Sequence, residues 1–342
     1  MLEQIIQAKN VREITKYINR AERCVIVAHT SPDGDAVASS LALKHFLTEL
    51  GKAVTIVLPD DFPHYYRWLQ GSTDILIHKK YPAEAEQIIG EASLIFCLDL
   101  NDPRRLGSLA GPVVSSSAVR VLIDHHLDPV PDFCRCVISC PAICSTSEMV
   151  FRLICRMGMY EIINLPMAEC IYTGMMTDTG VFAYNSSHPD VYTIIGELIK
   201  KGIDKDKIYR SVYQVSSEGR LRLMGYLLYE KMKIYPKRQT ALLTLTNEEK
   251  IRFGHQPGDT EGFANLPLEM DGISFSAFLK EEGECIRLSF RSVGDFPANL
   301  FAARFGGGGH RNAAGGTFEG TLPEAIKLFE EVLSVTNPSL FV

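Results

Sequence analysis

Apolar residues in the first half of the chain come in short runs that alternate with longer amphipathic segments. Two of these runs, 93–99 and 119–124, are almost continuously apolar, which is typical of strands covered on both faces. The runs that we assign to strands are 24–29, 53–58, 74–77, 93–99 and 119–124. Helical patterns at 36–50 and 83–90 separate them. This alternation predicts a parallel sheet with helices on its faces, the arrangement of an α/β domain.

The pattern changes twice further along the chain. From residue 145 to about residue 233 it is mostly helical, and strand-like runs then return, joined by a hairpin turn at 281–284. The later strands and helices are predicted at 231–236, 239–245, 273–280, 285–292, 298–305 and 323–334. We therefore predict a parallel-sheet domain over 1–190, a helical linker over 191–230 and a smaller α+β domain over 231–342.

Composition narrows the class of protein. Hydrophobic residues make up 46% of the 342-residue chain, enough to bury a sizeable core. The net charge of -6 argues against a basic surface that grips a long nucleic-acid duplex. No apolar stretch reaches the ~18 residues that a membrane span needs, and the first residues do not resemble an export signal. We therefore expect a cytoplasmic protein with no membrane partner.

Cysteine usage leaves two interpretations of one segment. Nine cysteines, an odd number in a long chain, favour reduced thiols over a disulfide framework. Cys134, Cys136, Cys140 and Cys144 lie close together in sequence, so structural zinc is one hypothesis. Their spacing lacks the paired C-x2-C halves of common zinc sites. Shared parity of the first three favours buried free thiols on one face of a strand.

Acidic residues and histidines collect where the predicted parallel strands end. Open parallel sheets bind ligands beyond the carboxyl ends of their strands, so these side chains are expected to meet. Three strand ends and one helical run supply them, and the residues are His29, Asp33, Asp35, Asp99, Asp124, His125, His126 and Asp178. Taken singly, each aspartate is explained as a helix cap or turn former. Together they favour a metal site.

The number and kind of these side chains indicate which metal. So many like charges at one edge would repel strongly without a counter-ion. Carboxylates with a few imidazoles and no thiolate suit Mn²⁺ or Mg²⁺ better than zinc. The set exceeds the needs of one octahedral ion. We therefore predict two divalent cations that share a bridging carboxylate, about 3.5–4 Å apart as in phosphoryl-cleaving enzymes.

A glycine run near the carboxyl terminus indicates a second binding element. Residues 306–309 are all glycine and are followed by His310 and Arg311, while Arg291 lies on an earlier predicted strand. Backbone N–H groups of glycine approach anions closely because no Cβ intervenes. A flexible linker has the same composition, but the flanking cations favour anion capture.

The motifs resemble those of a known family. They are His29-x3-Asp33-x-Asp35-x3-Ser39, Asp99, Asp124-His125-His126, Thr177-Asp178-Thr179-Gly180, and Phe305-Gly-Gly-Gly-Gly-His310-x2-Ala313-Ala314-Gly315. The first four resemble the motifs of the DHH phosphoesterase superfamily, and the last resembles the signature of its DHH-associated C-terminal domain. In length and layout the chain is most similar to the stand-alone nanoRNase and pAp phosphatase (NrnA-like) branch.

This resemblance implies specific roles for these residues. One metal would be held by His29, Asp33 and Asp99. The second would be held by Asp99, which bridges, and by Asp35, His125 and Asp178. The implied catalytic residues are His126, at the scissile phosphate or its leaving group, and Asp124, which orients the histidines.

The resemblance also implies where the substrate is held. Arg291 and His310 would hold a terminal phosphate or nucleotide in the cleft between the domains. The remaining substrate-binding candidates are Asn299, Gly307, Gly308 and Gly309. The predicted active site therefore lies in the interdomain cleft.

The leading hypothesis is a Mn²⁺-dependent phosphoesterase that shortens very short RNA and dephosphorylates 3',5'-bisphosphonucleotides such as pAp. The second domain lacks an obvious arginine cluster, which favours substrates of a few nucleotides over long single strands. Two alternatives stay open: a phosphodiesterase for cyclic or linear dinucleotides, and a non-catalytic nucleotide-binding module. Pyrophosphatase activity is less favoured by the glycine signature. The oligomeric state is also open, with a homodimer among the possibilities.

Overall fold

The computed structural model describes residues 3–336, and these form two compact units that divide between Val215 and Ser216. The strands of the first unit are β1 (Arg23–Val27), β2 (Ala53–Leu58), β3 (Leu76–Ile77), β4 (Leu94–Leu98), β5 (Val119–Asp124) and β6 (Cys136–Ser139). Its α-helices are α1 (Ala8–Arg20), α2 (Gly34–Glu49), α3 (Pro82–Gly90), α4 (Ala110–Ser115), α5 (Thr146–Arg156), α6 (Leu165–Asp178), α7 (Pro189–Lys200) and α8 (Lys205–Tyr213). Short 3-10 helices cover His64–Tyr66, Ser72–Asp74, Pro103–Leu109 and Tyr160–Ile162.

The first sheet is parallel throughout its described strands, in the order β3-β2-β1-β4-β5-β6. Successive residues of the central strands enter different cores: Ile26 and Phe96 pack on one face, and Val25 and Ile95 on the other. Burial on both faces explains why these strands are apolar without alternation. The predicted parallel sheet of an α/β domain is confirmed.

The second unit also contains a sheet, with helices on it. Its strands are β7 (Lys233–Tyr235), β8 (Thr240–Leu245), β9 (Phe275–Glu282), β10 (Cys285–Ser292), β11 (Gly308–His310) and β12 (Ala313–Glu319). Its α-helices are α9 (Glu218–Tyr226), α10 (Asn247–Arg252), α11 (Ala298–Ala303) and α12 (Leu322–Val335). A π-helical turn covers Leu227–Lys231, and 3-10 helices cover Pro236–Arg238 and Phe263–Glu269.

The strands of this second sheet follow the order β11-β12-β10-β9-β8-β7, and the described pairs are antiparallel except β8 with β9. One face packs on α11 and α12 through a cluster that includes Phe275, Phe290, Phe301 and Phe329. The predicted α+β character of this part of the chain is confirmed. Within the glycine run, residues 308–310 pair with β12 as a short strand.

The structure changes the predicted domain boundaries. α7 and α8 bury Ile194, Leu198 and Ile208 in the core of the first unit, whereas α9 buries Leu223 in the second. Residues 191–230 are therefore shared between the two units and do not form a separate linker. Their apolar faces are too large to remain uncovered, which is why each helix packs on a neighbouring core.

The clustered cysteines are free thiols. Only Cys136 lies within β6, where it is buried; Cys134 precedes the strand and Cys140 follows it half-buried. Cys134 contacts Cys97 of β4 through a thiol hydrogen bond. No cysteine among residues 3–336 belongs to a group with the geometry of a metal site. In the same residues, no helix has both the length and the apolarity to cross a bilayer.

Candidate active site

The candidate site begins where the strand order of the first sheet reverses. β1 lies between β2 and β4, and the chain builds outward from β1 on one side before it crosses to β4 on the other. The carboxyl ends of these two strands therefore flank a crevice of the kind in which open α/β sheets bind ligands. His29 lies just beyond β1, and Asp99 follows β4 directly.

His29 and Asp33 form the first half of the cluster. Asp33 is the N-cap of α2, where its Oδ1 accepts hydrogen bonds from Asp35 N and Ala36 N at 3.1 Å each. Its other oxygen, Oδ2, lies 3.8 Å from His29 Nε2. The same carboxylate therefore begins the helix and contributes to the cluster, so capping and metal binding are compatible here.

Asp99 lies at the centre of the cluster. Its Oδ2 is 3.3 Å from His29 Nε2, and its Oδ1 is 3.5 Å from His125 Nε2. Each oxygen of one carboxylate thus faces a different histidine. The backbone of Asp99 is left-handed, with φ of 57°, a conformation that costs energy for a residue with a Cβ. Strain of this kind is common at functional sites.

Asp35 is held by the start of α5. Its Oδ2 accepts a hydrogen bond from Thr146 N at 2.6 Å, and its Oδ1 accepts one from Ser147 N at 2.9 Å. The Thr146 hydroxyl donates to Asp99 Oδ1 at 3.1 Å. Amides at a helix N-terminus favour a carboxylate. Thr146 and Ser147 were absent from the sequence prediction, although Ser145 and Glu148 carry a capping pattern that marks this helix start.

Two glycines allow the surrounding helices to approach closely enough. A Cβ on Gly174 of α6 would lie 1.9 Å from Ser147 Oγ and 2.6 Å from Asp35 Oδ1. A Cβ on Gly34 of α2 would lie 2.3 Å from Thr177 Oγ1. Neither position has room for a side chain. Close packing of α2, α5 and α6 therefore sets where the Asp35 carboxylate lies.

The two adjacent histidines have different partners. His125 Nε2 lies 3.5 Å from Asp99 Oδ1 and 3.4 Å from Asp178 Oδ2. His126 Nδ1 lies 2.6 Å from Asp124 Oδ1. The other oxygen of this carboxylate, Oδ2, accepts a hydrogen bond from His126 N at 3.1 Å. Asp124 thus holds His126 through two hydrogen bonds, and its predicted role in orienting the histidines stays a prediction.

Ligand-type atoms converge in overlapping groups whose members lie within 4.8 Å of one another. Asp99 belongs to each group within the first unit, and these groups are His29 with Asp33 and Asp99, Asp35 with Asp99 and His125, and Asp99 with Asp124 and His126. The first two groups match the predicted ligand sets apart from Asp178, which contacts His125. The structure therefore brings together the residues predicted for the first domain, and their roles as ligands stay predictions.

Electrostatics in this cluster favour a cation. Burial, reinforced by the charge of Asp99, raises the pKa of Asp35 well above its usual value. Burial also acts to raise the pKa of Asp99, but hydrogen bonds with His125 and His29 bring it well below the usual value. Burial lowers the pKa of His29, yet Asp33 and Asp99 together raise it to about 10. Protonated histidines offset the buried carboxylates, a role that a divalent cation fills better.

One imidazole nitrogen provides a direct test of whether a metal fits. His29 Nδ1 lies 2.8 Å from the Thr30 carbonyl, so it carries the proton and donates it. In the neutral imidazole His29 Nε2 keeps its lone pair, and it is buried 3.3 Å from Asp99 Oδ2, a second acceptor, so no hydrogen bond joins these two atoms. An unpaired buried acceptor among carboxylates is costly unless a cation coordinates it. The donor set of oxygens and imidazoles fits Mn²⁺ or Mg²⁺.

Known families match this chain in both units. The profile of the DHH family, N-terminal domain, matches residues 23–175, and that of the DHHA1 domain matches residues 241–335. A crystal structure of an exopolyphosphatase-related protein from Bacteroides fragilis is 51% identical, covers 99% of both chains and superposes with a TM-score of 0.92. This chain belongs to the DHH family. It is a metal-dependent phosphoesterase, and the predicted resemblance is confirmed.

More distant DHH relatives differ in their described activities. A protein from Thermus thermophilus, "Bifunctional oligoribonuclease and PAP phosphatase NrnA", is 28% identical over 97% of this chain and 95% of its own length. A "Cyclic-di-AMP phosphodiesterase PdeA" from Listeria monocytogenes is 23% identical over 92% of this chain, but the match covers only 48% of that protein. The chain thus spans nearly all of the Thermus protein and about half of the Listeria protein.

The DHHA1 part of the chain contains the predicted substrate-binding residues on one sheet. Arg291 of β10 and His310 of β11 both lie opposite Ala313 of β12. Directly paired residues of antiparallel strands place their side chains on the same face. Arg291 and His310 therefore share a face, which is opposite to the one that packs on α11 and α12.

The next row on this face ends at Phe278 of β9, which is buried against Phe263, and its other residues are small. It contains Ser289 of β10, Gly315 of β12 and Gly308 of β11. A Cβ at Gly315 would lie 2.7 Å from the Leu288 carbonyl oxygen, so this position excludes larger residues. These small residues form a flat floor of peptide groups beside the side chains of Arg291 and His310.

The other residues predicted to bind substrate lie around this floor. Gly307 precedes β11, Gly309 lies within it, and Asn299 is at the start of α11, where its N–H donates to the Arg311 carbonyl at 3.4 Å. A Cβ on Gly307 would lie 2.1 Å from the Gly315 carbonyl oxygen, so this glycine is needed for close strand packing. Their substrate contacts stay predictions, as does the predicted cleft.

Proposed function

We propose that this protein is a Mn²⁺-dependent phosphoesterase that degrades oligoribonucleotides of a few residues to mononucleotides and converts pAp to AMP. The observation that carries the proposal is the central position of Asp99, whose two oxygens face His29 and His125 at 3.3 and 3.5 Å. A carboxylate shared in this way suits two neighbouring cations. The 28% identical Thermus relative, named as an oligoribonuclease and PAP phosphatase, supports the choice of substrates.

The proposed ligands divide into two sets around Asp99. His29 and Asp33 would hold one cation, and Asp35, His125 and Asp178 would hold the other. When bound, the cations supply an activated water and offset the charge that develops on the phosphate oxygens. Thr146 contributes by fixing the orientation of Asp35 and Asp99 through its N–H and hydroxyl groups.

His126 is the proposed proton donor for the leaving oxygen. Asp124 accepts the hydrogen bond from its Nδ1 at 2.6 Å, which fixes the orientation of the ring. Nε2 is then the nitrogen that serves the substrate. Because His125 is the proposed metal ligand and His126 the proposed proton donor, His125→Ala should weaken Mn²⁺ affinity. His126→Ala should mainly lower kcat with metals bound. Equal loss of metal by both variants would contradict this division.

The proposed substrate contacts in the second unit are Arg291 and His310, which would hold a terminal phosphate. The flat row of Ser289, Gly315 and Gly308 offers space for the adjoining sugar or base. A small anion-binding face without a long basic track supports substrates of a few nucleotides. We propose that this face and the metal cluster act on the same substrate molecule.

The test is product analysis from an end-labelled RNA pentamer and from pAp, each incubated with Mn²⁺. Successive shortening of the pentamer to mononucleotides, and conversion of pAp to AMP, is the expected result, and the labelled end gives the polarity. Asp99→Asn should abolish both reactions with the circular dichroism spectrum unchanged. The matched control is Asp102→Asn, because Asp102 lies three residues further on and pairs with Arg104. Full activity of Asp99→Asn would refute the mechanism.

A second candidate function is hydrolysis of cyclic dinucleotides, favoured by the match to the Listeria phosphodiesterase. Rates on cyclic di-AMP, linear dinucleotides and pAp should be compared at equal enzyme and Mn²⁺ concentrations. A kcat/KM for cyclic di-AMP that exceeds those of both linear substrates would replace the proposed function. Nucleotide binding without hydrolysis, measured by calorimetry in Mn²⁺, would instead identify a non-catalytic binding module.

A further inference from the structure

The face of the second sheet that carries Arg291 continues into rows whose residues have no assigned role. Along β10, residues 291, 289, 287 and 285 point to this face, because side chains alternate along a strand. All four are partly accessible, whereas the residues between them are buried in the core beneath. These four side chains of β10 are therefore partly accessible, whereas Phe278 of β9, on the same face, is buried against Phe263.

The third row of this face contains two cations. Arg287 lies opposite Lys280 of β9 on one side and Thr317 of β12 on the other. Arg287 Nη1 donates to Thr317 Oγ1 at 3.2 Å, and Lys280 Nζ donates to Thr260 Oγ1 at 3.3 Å. These partners are neutral hydroxyls.

Neither Arg287 nor Lys280 forms an ion pair with any residue between 3 and 336. Burial lowers the pKa of Lys280, and the Arg287 charge adds to this effect, whereas the charges of Glu282 and Glu261 oppose it. Two adjacent cations with hydroxyl partners are stabilised when an anion binds between them.

The spacing of the cationic rows suggests what the anion is. Arg291 and Arg287 are four positions apart, which places their Cα atoms about 13 Å apart along the strand. The two phosphates of pAp are joined by a single ribose and do not reach across this distance. An oligonucleotide spans this distance, with the small residues Ser289 and Gly315 between the row of Arg291 and the row of Arg287.

The fourth row limits the track. Cys285 of β10 lies opposite Glu282 on one side and Glu319 on the other. Both carboxylates are exposed, so a phosphate beyond Arg287 would meet negative charge. The track thus offers two cationic rows and then an acidic end.

We propose that Arg287 and Lys280 form a second phosphate subsite that binds oligoribonucleotides but not nucleoside bisphosphates. This inference rests on the proposed function, and it deepens that function by assigning substrate length to one strand of the sheet. The subsite raises the preference of the enzyme for oligonucleotides over pAp.

The experiment compares kcat/KM for pAp with kcat/KM for a 5'-phosphorylated RNA pentamer, for the wild type and Arg287→Gln. We expect the ratio of pentamer to pAp to fall roughly three- to tenfold, the worth of one partly exposed charge-assisted contact. The matched control is Lys327→Gln, which removes one positive charge from the exposed side of α12, beyond the other face of the sheet. The control should leave the ratio unchanged.

Salt dependence provides a readout that a merely structural role would not alter. Binding of a fluorescent pentamer is measured against salt concentration without divalent metal, so that no cleavage occurs. The slope of log K against log salt should decrease by about 0.7 in Arg287→Gln, as expected for one lost phosphate contact on a single strand. Lys280→Met provides a second variant with similar side-chain volume and the same expected change.

Two results would overturn the subsite: an unchanged pentamer-to-pAp ratio, or an unchanged salt slope in both variants. A wild type that hydrolyses neither substrate would refute the proposed function instead. In that event the salt slopes still decide whether the row binds a phosphate.

Discussion

Gly174 provides a sharp test of how α6 supports the cluster. The glycine lies on the face of α6 that meets the start of α5, where Ser147 and Asp35 contact each other. A methyl group at this position has no space. We expect Gly174→Ala to displace the Asp35 carboxylate from the amides that hold it, with loss of activity out of proportion to the loss of stability.

The size of the effect follows from the distances. The new Cβ would lie 1.9 Å from Ser147 Oγ and 2.6 Å from Asp35 Oδ1. Ordinary contact therefore requires shifts of about 1.5 Å and 0.8 Å. Overpacking costs about 1–3 kcal/mol, and helix propensity returns up to about 1 kcal/mol. A displacement of about 1 Å at a reacting centre can lower turnover 100-fold.

The assay combines calorimetric titration with Mn²⁺, kcat/KM on a short RNA, and urea denaturation. The matched control is Gly196→Ala in α7, because a Cβ there has nothing within 4 Å. The control should be as active as the wild type and slightly more stable. Adding Ser147→Gly to Gly174→Ala removes the shorter clash but leaves the contact with Asp35, so stability should recover more than Mn²⁺ affinity.

Wild-type Mn²⁺ affinity and turnover in Gly174→Ala would refute this account of the helix packing. Complete recovery of activity in the double variant would also contradict it, because the methyl group would then not act through Asp35.

Three further outcomes follow from contacts near the cluster. Arg152→Met should lower the free energy of unfolding by about 3–5 kcal/mol in urea, since it leaves the buried Glu148 without its partner at 2.7 Å. Burial raises the pKa of Asp190, but a backbone N–H and Arg152 bring it below the usual value. The Asp190 carboxylate therefore stabilises the fold above about pH 4, and this contribution is lost as the pH falls through the pKa of the folded state. The difference in the free energy of unfolding between the wild type and Asp190→Asn should therefore shrink in acid. Asp124→Asn should lower kcat about 10- to 100-fold with Mn²⁺ affinity retained, because it loosens His126.

Each of these outcomes has a control or a contrary result. Arg222→Met removes an exposed pair with Glu218 and should cost less than about 1 kcal/mol. A difference between wild type and Asp190→Asn that stays constant from pH 6 to pH 2 would contradict the assigned pKa. Loss of Mn²⁺ by Asp124→Asn would mean that this carboxylate holds metal itself.

Much of the fold could be predicted from local pattern, because the sheet of the first unit is buried on both faces. The bounds of β2, β5 and β10 agree with the sequence prediction, since each is an uninterrupted strand pattern with clear ends. β12 was missed because its alanines and glycines have low strand propensity. Its composition is explained by the close approach of Gly315 to the Leu288 carbonyl, which no local pattern reveals.

The candidate site was only partly predictable for a similar reason. Strand ends carry His29 and Asp99, and the rule that parallel strands end at one edge brings them together. The amides of Thr146 and Ser147 donate hydrogen bonds to Asp35, which lies 111 and 112 residues earlier in the sequence. Nothing in the local pattern around the start of α5 indicates that its amides hold a carboxylate from another helix.

The left-handed backbone of Asp99 affects how this position should be mutated. Alanine resists a φ of 57°, so an alanine variant combines removal of the carboxylate with a conformational penalty of about 1 kcal/mol or more. Asparagine visits the same region readily and changes the charge alone. Glycine would even relieve the backbone while it removes the side chain. A routine alanine scan would therefore misjudge this residue, and an inactive alanine variant with lowered thermal stability would leave the chemical role of the carboxylate unresolved.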